Sequence, residues 1–310
     1  GDSSYGGDSS SVSSSLTSGV SKIYSNNTAF AALKADGSLI TWGNSSNGGN
    51  SSSVSSSLAS GVKKVFPNYY AFAALKTDGS LVTWGNSSYG GSLTSPINVS
   101  SAVASGVTEI HSTKYAFAAL KSDGSVITWG NSYYGGNSSS VSSDLASGVT
   151  KIYSTASAFA ALKSDGSVVS WGPSNTGGDS SSVSSKISSG VREVYSNDGS
   201  FIALKSRFGV VTWGDSTNGG NSSTVSTTIA SDVSTIVPNE KGFAALKTDG
   251  SVASWGVSAY SAGSSVNSQP SLSGVKQIYS NDYAYAALKT DGSVALWGDA
   301  SFGGSNNTSA

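Results

Sequence analysis

Serine, aspartate and a single histidine are among the side chains of this sequence that could take part in nucleophilic or acid–base chemistry. Ser is the commonest residue, but a serine nucleophile needs a base that a third group holds in place, and the chain contains one His, His111. The absence of Cys and Met excludes disulfides and thiolate metal sites. We therefore predict that the protein is not an enzyme and has no catalytic residue, no metal site and no cofactor.

Tyrosine offers recognition chemistry instead, because a phenol ring provides a large contact area at a low entropic cost. Tyr residues recur in two kinds of short segment, represented by "NYY" at 68–70 and "NSYYGG" at 131–136, which vary between otherwise similar stretches of the chain. The residues of these segments that we predict to bind a partner are Tyr69, Tyr70, Tyr89, Lys114, Tyr115, Tyr133, Tyr134, Tyr260 and Tyr283.

Charge and hydropathy exclude two classes of partner. Charged residues make up 11% of the sequence, with 17 basic and 18 acidic residues. Phosphate binding needs clustered Lys and Arg, so no nucleic-acid partner is predicted. No apolar stretch approaches the ~20 residues that span a bilayer, so no membrane insertion is predicted. Without an initiator Met or a signal peptide, the chain is expected to be a mature or excised piece, either a monomer or part of a longer chain.

The seven Trp residues reveal an internal repeat. Trp84 and Trp129 are 45 residues apart and the other successive Trp residues are 42 apart. A repeat of about 40 to 45 residues that contains short strand-like segments is typical of propeller blades. The predicted blades are approximately 1–42, 43–84, 85–129, 130–171, 172–213, 214–255 and 256–297, within a single domain covering 1–310, and 298–310 is a redundant outer-strand segment.

Each repeat contains the same predicted strands. In the first repeat these are 18–25, 29–34 and 38–43, and the Ser-rich "DSSSVS" is expected to supply a fourth, outer strand. The Asp-Gly pair between the second and third strands predicts a two-residue hairpin turn in which both residues have positive φ. We predict an all-β, seven-bladed β-propeller with four-stranded antiparallel blades. "GDSSYGG" at 1–7 and "GDASFGG" at 298–304 are the same part of the repeat, so the two segments compete for one outer-strand site. We expect the N-terminal segment to pair with the last blade and close the ring.

The variable residues of the repeats are predicted to lie on one face of the propeller. In an antiparallel meander, the loops after the first and third strands emerge on the same side of the sheet. These are the two segments that carry the tyrosines, and loops on a rigid scaffold are common binding sites. The alternative is that the sequences of these loops vary because no function constrains them. His111 takes a position that is aromatic in most other repeats, which favours a packing role.

"ALKTDGSV" followed by "WG" and preceded by "SGV" resembles the regulator-of-chromosome-condensation repeat. The similarity extends over all seven repeats and is greatest to the bacterial branch that contains β-lactamase inhibitor protein II. The resemblance implies a propeller fold and a binding function. The longer repeats and inserted wedge of the nucleotide exchange factor in this family have no counterpart here, so its activity is not carried over.

Three functions fit the sequence. The leading one is a non-enzymatic module of a bacterial secreted or surface protein that recognises a protein partner through its tyrosines. A glycan-binding propeller is the alternative, because Tyr rings stack on sugars while Asn and Ser satisfy hydroxyls. A third reading is a structural spacer in an adhesin-like array or a consensus-type design. A protein site should be confined to a few repeats, whereas a lectin should have several equivalent sites.

Overall fold

Seven three-stranded antiparallel sheets, one for each repeat, make up the computed structural model, which describes residues 1–95, 97–206, 209–256 and 272–304. In every sheet the order of the strands is their order in the chain. In chain order the strands are β1 (Val20–Ser25), β2 (Ala29–Lys34), β3 (Leu39–Gly43); β4 (Val62–Pro67), β5 (Ala71–Lys76), β6 (Leu81–Gly85); β7 (Val107–Ser112), β8 (Ala116–Lys121), β9 (Val126–Gly130); β10 (Val149–Ser154), β11 (Phe159–Lys163), β12 (Val168–Trp171); β13 (Val191–Ser196), β14 (Ser200–Lys205), β15 (Val210–Gly214); β16 (Val233–Asn239), β17 (Gly242–Lys247), β18 (Val252–Gly256); and β19 (Val275–Ser280), β20 (Ala284–Lys289), β21 (Val294–Gly298).

The chain divides into two compact units. Unit one is Gly1–Ala161 with Trp171–Pro173, and unit two is Leu162–Ser170 with Ser174–Ala310. Unit one thus contains repeats one to three and the first strand of repeat four, and unit two contains repeats five to seven. In the described residues, no helix has the length and apolar character needed to cross a membrane.

The predicted fourth strand is wrong in the described part of the chain. The Ser-rich segments form 3-10 turns at Ser10–Leu16, Ser52–Val54, Ser139–Val141, Ser181–Val183 and Ser223–Val225, and two of these continue into the helical turns α1 (Ser55–Leu58) and α2 (Ser184–Ile187). The Asn50 side chain accepts a hydrogen bond from Ser52 N at 2.9 Å, which starts such a turn. Val54 and Leu58 are four residues apart, and Leu58 is buried. Residues four apart lie on one face of a helical turn and also on one face of a strand, so this spacing is compatible with both, and the turn-forming Asn50 favours the helical form.

The hairpin turns also differ from the prediction. Gly37 has φ +79°, but Asp36 does not have positive φ, so only one residue of the pair adopts the left-handed region. Gly37 N donates to Lys34 O, and the Asp36 carboxylate accepts from both Ser38 N at 2.9 Å and Ser38 Oγ at 2.7 Å. The aspartate side chain therefore holds a right-handed turn that Gly closes, as in three-residue hairpins. Five further turns repeat these bonds at Asp78, Asp123, Asp165, Asp249 and Asp291.

These six carboxyls predict loss of stability in acid. The side-chain and backbone hydrogen bonds from the Ser two residues on lower the pKa of each of them, for example Asp78. A lowered folded-state pKa gives stability that is present above the ordinary value of about 3.8 and is lost as the pH falls through the folded pKa. We expect the Tm measured by calorimetry to fall between about pH 5 and pH 2. Replacing Ser38, Ser80 and Ser125 with Ala should weaken that dependence, and an unchanged dependence would show that these turns are not its source.

Within each unit, neighbouring repeats are joined by apolar side chains and by one recurring Trp contact. The second strands are buried along almost their whole length, as the run "AFAALK" predicts. Phe72 and Trp84 form a stacked cross-strand pair with centroids 5.2 Å apart, and Trp84 Nε1 donates to Gly48 O of the preceding repeat at 3.0 Å. A Cβ on Gly48 would lie 2.6 Å from the Phe72 ring, so this position admits only glycine. All seven Trp residues are thus core residues, 0–9% exposed.

Candidate functional site

The variable residues lie in two loops of each repeat, which we call the inner loop (between the first and second strands) and the outer loop (the short 3-10 turn after the third strand). The outer loops of the described repeats contain Ser45–Asn47, Ser87–Tyr89, Ser132–Tyr134, Ser174–Thr176, Ser216–Asn218 and Ala300–Phe302, and Ser3–Tyr5 is an equivalent turn before repeat one. In repeat two, Asn68 Nδ2 donates to Tyr89 O at 2.6 Å, so the two loops of this repeat are hydrogen bonded to each other.

The first residue of the inner loop is a structural anchor. The Asn68 side-chain oxygen accepts from Tyr70 N and Ala71 N, at 3.0 and 2.8 Å, while its amide group reaches the outer loop. Thr113 does the same in repeat three, where its hydroxyl donates to Tyr134 O at 2.9 Å and accepts from Ala116 N. The sequence interpretation grouped this position with the variable residues. The sequence does contain a signal for the anchoring role, because the other inner loops also begin with Asn or Thr.

Backbone hydrogen bonds connect the inner loops of neighbouring repeats in unit one. Tyr69 N donates to Lys114 O at 3.1 Å, and Lys114 N donates to Ala156 O at 2.9 Å. At the ends of the strands that precede these loops, Ser112 Oγ donates to Pro67 O at 3.0 Å. These bonds fix the inner loops of repeats two, three and four relative to one another. The side chains that the loops carry are therefore presented on a stiff support.

Six predicted tyrosines come together in unit one as a continuous cluster, which we call the tyrosine patch: Tyr69, Tyr70, Tyr89, Tyr115, Tyr133 and Tyr134. Tyr115 lies at its centre. Its ring centroid is 4.5 Å from that of Tyr134, 4.7 Å from Tyr89, 5.6 Å from Tyr69 and 5.7 Å from Tyr70. Contacts of this kind fix the rings in offset-stacked and edge-to-face arrangements.

The edge of the tyrosine patch is polar and accessible. Lys114 Nζ lies over the Tyr69 ring, 5.6 Å from its centroid, in a cation–π contact. Tyr133 is 62% exposed, whereas Tyr115 and the remaining rings are half-buried. The patch thus combines a half-buried aromatic centre with one protruding ring and one cation. Such a surface can take up an apolar protrusion and offer hydroxyl and ammonium groups around it.

The environment of Tyr115 predicts a late titration. Burial, reinforced by neighbouring tyrosines, raises the pKa of Tyr115 above its ordinary value of 10.0. A raised folded-state pKa gives stability that is present below about pH 10 and is lost as the pH rises through the folded pKa. We expect the difference in 295 nm absorbance between the wild type and Tyr115→Phe to develop above that pH. A difference that titrates with an ordinary tyrosine pKa would contradict this environment.

The two remaining predicted tyrosines are not in the tyrosine patch. Tyr260 lies outside the described residues. Tyr283 belongs to unit two, where its ring centroid is 4.5 Å from that of Phe302 and a hydrogen bond with the Glu240 carboxylate raises its pKa. Glu240 also forms an ion pair with Lys241 at 2.7 Å. Tyr283 therefore has an aromatic and charged neighbourhood of its own.

His111 lies in β7 opposite Ala118, the register position that Phe66 holds opposite Ala73 in repeat two. Its Nε2 is 3.4 Å from Glu109 Oε1. Burial lowers the pKa of His111, against the opposing effect of Glu109. Among the described residues, no group of three or more His, Asp or Glu side chains is placed to hold a metal ion.

Comparisons with known proteins give matches in structure only. No family model matches the chain, and no curated protein matches it in sequence. Solved structures that it resembles include the CRINKLY WD40 ectodomain of the Arabidopsis thaliana receptor kinase ACR4 (15% identity, 90% of this chain and 95% of that chain, TM-score 0.41) and yeast RCC1 (Prp20) bound to Kap60 (15% identity, 76% and 70%, TM-score 0.41). A third is the computationally designed protein Ika8 (13% identity, 90% and 83%, TM-score 0.37). These similarities are too low to assign a function.

Proposed function

We propose that this chain is a non-enzymatic binding module that recognises a folded protein partner through the tyrosine patch. The observation that carries the proposal is the contact of six tyrosine rings around Tyr115, on loops that backbone hydrogen bonds hold together. Rigid aromatic anchors are the residues that dominate the energy of protein interfaces.

The asymmetry of the patch supports a protein partner. The outer loops of repeats two and three end in Tyr89 and Tyr134, whereas those of repeats one, four and five end in Asn47, Thr176 and Asn218. One cluster confined to neighbouring repeats suits a single protein epitope. A repeated ligand such as a glycan would be served by equivalent sites on many repeats.

Ring orientation also favours a protein over a glycan. Tyr70 and Tyr115 are stacked at an interplanar angle of 18°, so each covers one face of the other. A sugar ring stacks on an open aromatic face, and in the patch Tyr133 is the most exposed ring. Glycan binding remains the alternative function, with Tyr133 as the stacking residue. A bacterial secreted or surface location is part of the proposal, and a structural spacer is the third function to be tested.

A parallel screen distinguishes these functions. The wild type is compared with the variant in which Tyr69, Tyr70, Tyr133 and Tyr134 are replaced by Ser, on a protein microarray and on a glycan array. Tyr279→Ser is the matched control, because Tyr279 is 51% exposed but lies in β19, outside both loops.

The proposal expects protein signals that the wild type and the control share and that the four-site variant loses. Signals on the glycan array alone would favour the lectin function. Binding that is equal in all three proteins, or absent from both arrays, would contradict recognition by the tyrosine patch.

A further inference from the structure

The loops that carry the tyrosine patch have charge of one sign. The inner and outer loops of repeats two and three contain Lys114 and no Asp or Glu. From the first strand of repeat two to the outer loop of repeat three, the acidic residues are Asp78, Glu109 and Asp123. Glu109 lies within β7, and the two aspartates lie in the hairpin turns, at the far end of the second strands from the inner loops. A six-residue strand spans about 20 Å, well beyond the screening length of about 8 Å at physiological salt, so the field at the patch is positive.

The Lys114 ammonium has no carboxylate partner in the part of the chain that the structure describes. Its Nζ lies over the Tyr69 ring, 5.6 Å from the ring centroid, and the side chain is half-buried. A ring face stabilises a cation without neutralising its charge. The hydrogen bonds that Lys114 makes to Tyr69 and Ala156 use backbone atoms, so the ammonium remains able to donate to an incoming anion.

The phenol hydroxyls of the tyrosine patch are further donors. Within the described ranges, none of the six hydroxyls is hydrogen bonded to another group of the protein. Burial raises the pKa of Tyr115, so its hydroxyl keeps its proton at neutral pH and can donate. The patch thus combines hydroxyl and ammonium donors with no carboxylate acceptor of its own.

Unit two has an arrangement in which the protein itself supplies the carboxylate. The position of Lys114 is acidic in all three inner loops of that unit: Asp198, Glu240 and Asp282. The Glu240 carboxylate is 2.7 Å from Lys241 Nζ and is hydrogen bonded with the Tyr283 hydroxyl. One carboxylate therefore satisfies a lysine and a tyrosine of these loops at once. In the tyrosine patch the lysine and the tyrosines are present and the carboxylate is missing.

We propose that the tyrosine patch binds an acidic epitope, an Asp or Glu side chain of the partner that is flanked by apolar residues. This inference rests on the proposed function, because it names the chemistry of the partner surface that the patch recognises. The carboxylate pairs with Lys114 Nζ and with tyrosine hydroxyls, as Glu240 pairs with Lys241 and Tyr283, while the apolar neighbours contact the rings. Hydrogen bonds to a charged group are about twice as strong as neutral ones.

A cationic epitope suits the patch less well. Tyrosine faces attract Arg and Lys in general. Here Lys114 already lies on the Tyr69 face, and a second cation beside it meets a like charge, which is unfavourable in an interface. Tyr70 and Tyr115 cover one face of each other at an interplanar angle of 18°. Charge complementarity thus favours an anionic group.

Selection from a display library tests the chemistry of the epitope. The probe is a library of one small folded domain with a single randomised loop, selected on the wild type and counter-selected on the variant in which Tyr69, Tyr70, Tyr133 and Tyr134 are replaced by Ser. We expect the selected loops to share Asp or Glu at one position, beside an apolar residue. Patch-dependent clones without that acid, or with Arg or Lys in its place, would overturn this inference and leave the proposed function standing. A library without patch-dependent clones would contradict the proposed function itself, and the inference with it.

Lys114→Gln then tests the charge. Titration of the variant with a selected domain is expected to show affinity weakened about 10-fold, and affinity that no longer depends on salt between about 0.05 and 0.5 M NaCl. Lys63→Gln is the matched control, because Lys63 is exposed in β4, outside both loops, and should keep affinity within about 2-fold. The backbone bonds of Lys114 persist in the variant, so its Tm should equal that of the wild type.

A charge swap distinguishes pairing from a structural role of the lysine. Lys114→Glu should not bind the selected domain, and binding should return when the acid of that domain is replaced by Lys. A structural role of Lys114 gives no such recovery. Absence of recovery, or equal affinity of Lys114→Gln and the wild type, would overturn the inference.

Discussion

Replacing Trp129 with alanine is expected to lower the free energy of unfolding by about 3–5 kcal/mol, the range for removal of a buried aromatic side chain. Trp129 is fully buried and stacks on Phe117 with their ring centroids 5.3 Å apart. Its Nε1 donates to Gly90 O at 3.1 Å, in the outer loop of the preceding repeat. The substitution therefore leaves a cavity and removes a bond that joins two repeats.

A second variant separates packing from hydrogen bonding at this position. Trp129→Phe keeps an aromatic ring but leaves Gly90 O without its donor, for which we expect a loss of about 1–3 kcal/mol. Tyr5→Ala is the exposed control, with an expected change within about 0.5 kcal/mol, since Tyr5 is 61% exposed. Urea unfolding, followed by the fluorescence of the remaining Trp residues, measures all three. Equal losses in Trp129→Phe and Trp129→Ala would show that packing of the indole is not the main contribution.

The strands of the repeat could be predicted from the sequence because their signals are local. "AFAALK" and "SLITWG" predict strands at 29–34 and 38–43, and the structure has Ala29–Lys34 and Leu39–Gly43. A run without alternation indicates burial on both sides. The period of the Trp residues then gives the number of sheets, which is seven.

The fourth strand was wrong because two weak signals conflicted. "NSSSVSSSL" at 50–58 contains Ser and Val at a position where propeller blades have an outer strand. It also contains an Asn that can start a turn, and the Asn50 side chain does accept a hydrogen bond from Ser52 N. The apolar residues four apart fit one face of either element, so their spacing did not decide between them. Leu58 is 1% exposed in the helical turn α1. The prediction of the hairpin turn was also wrong in part. The Asp78 carboxylate accepts a hydrogen bond from Ser80 Oγ, and the backbone of Asp78 does not adopt positive φ.

The tyrosines could be placed on loops by the sequence, but their contacts could not. Whether Tyr69 reaches Tyr115 depends on the backbone bond from Tyr69 N to Lys114 O, which joins two repeats and leaves no local signal. The same pattern includes Tyr283, whose ring contacts Phe302 within unit two. Sequence variability thus identified the kind of residue, and the contacts between repeats decide which residues act together.

Replacing Tyr115 with Ser is expected to weaken binding of the protein partner at least about 30-fold, corresponding to a hot spot of about 2 kcal/mol or more. Tyr115 contacts four other rings of the tyrosine patch, so its loss opens the centre of the surface as well as removing one side chain. Hot spots lie near the centre of interfaces, and peripheral contacts contribute less. Tyr133→Ser, at the exposed edge, should therefore weaken binding by no more than about 5-fold, the effect of about 1 kcal/mol.

Two comparisons give this order of effects its meaning. Tyr115→Phe keeps the ring and its contacts, so it should retain affinity within about 3-fold if the ring rather than the hydroxyl is responsible, a change of well under 1 kcal/mol. Tyr279→Ser removes an equally large ring outside both loops and should leave affinity unchanged. Calorimetric titration of each variant with a partner identified on the array provides the dissociation constants. A larger effect at Tyr133 than at Tyr115 would place the binding energy on the protruding ring and favour a ligand that stacks on one open face, as a sugar does.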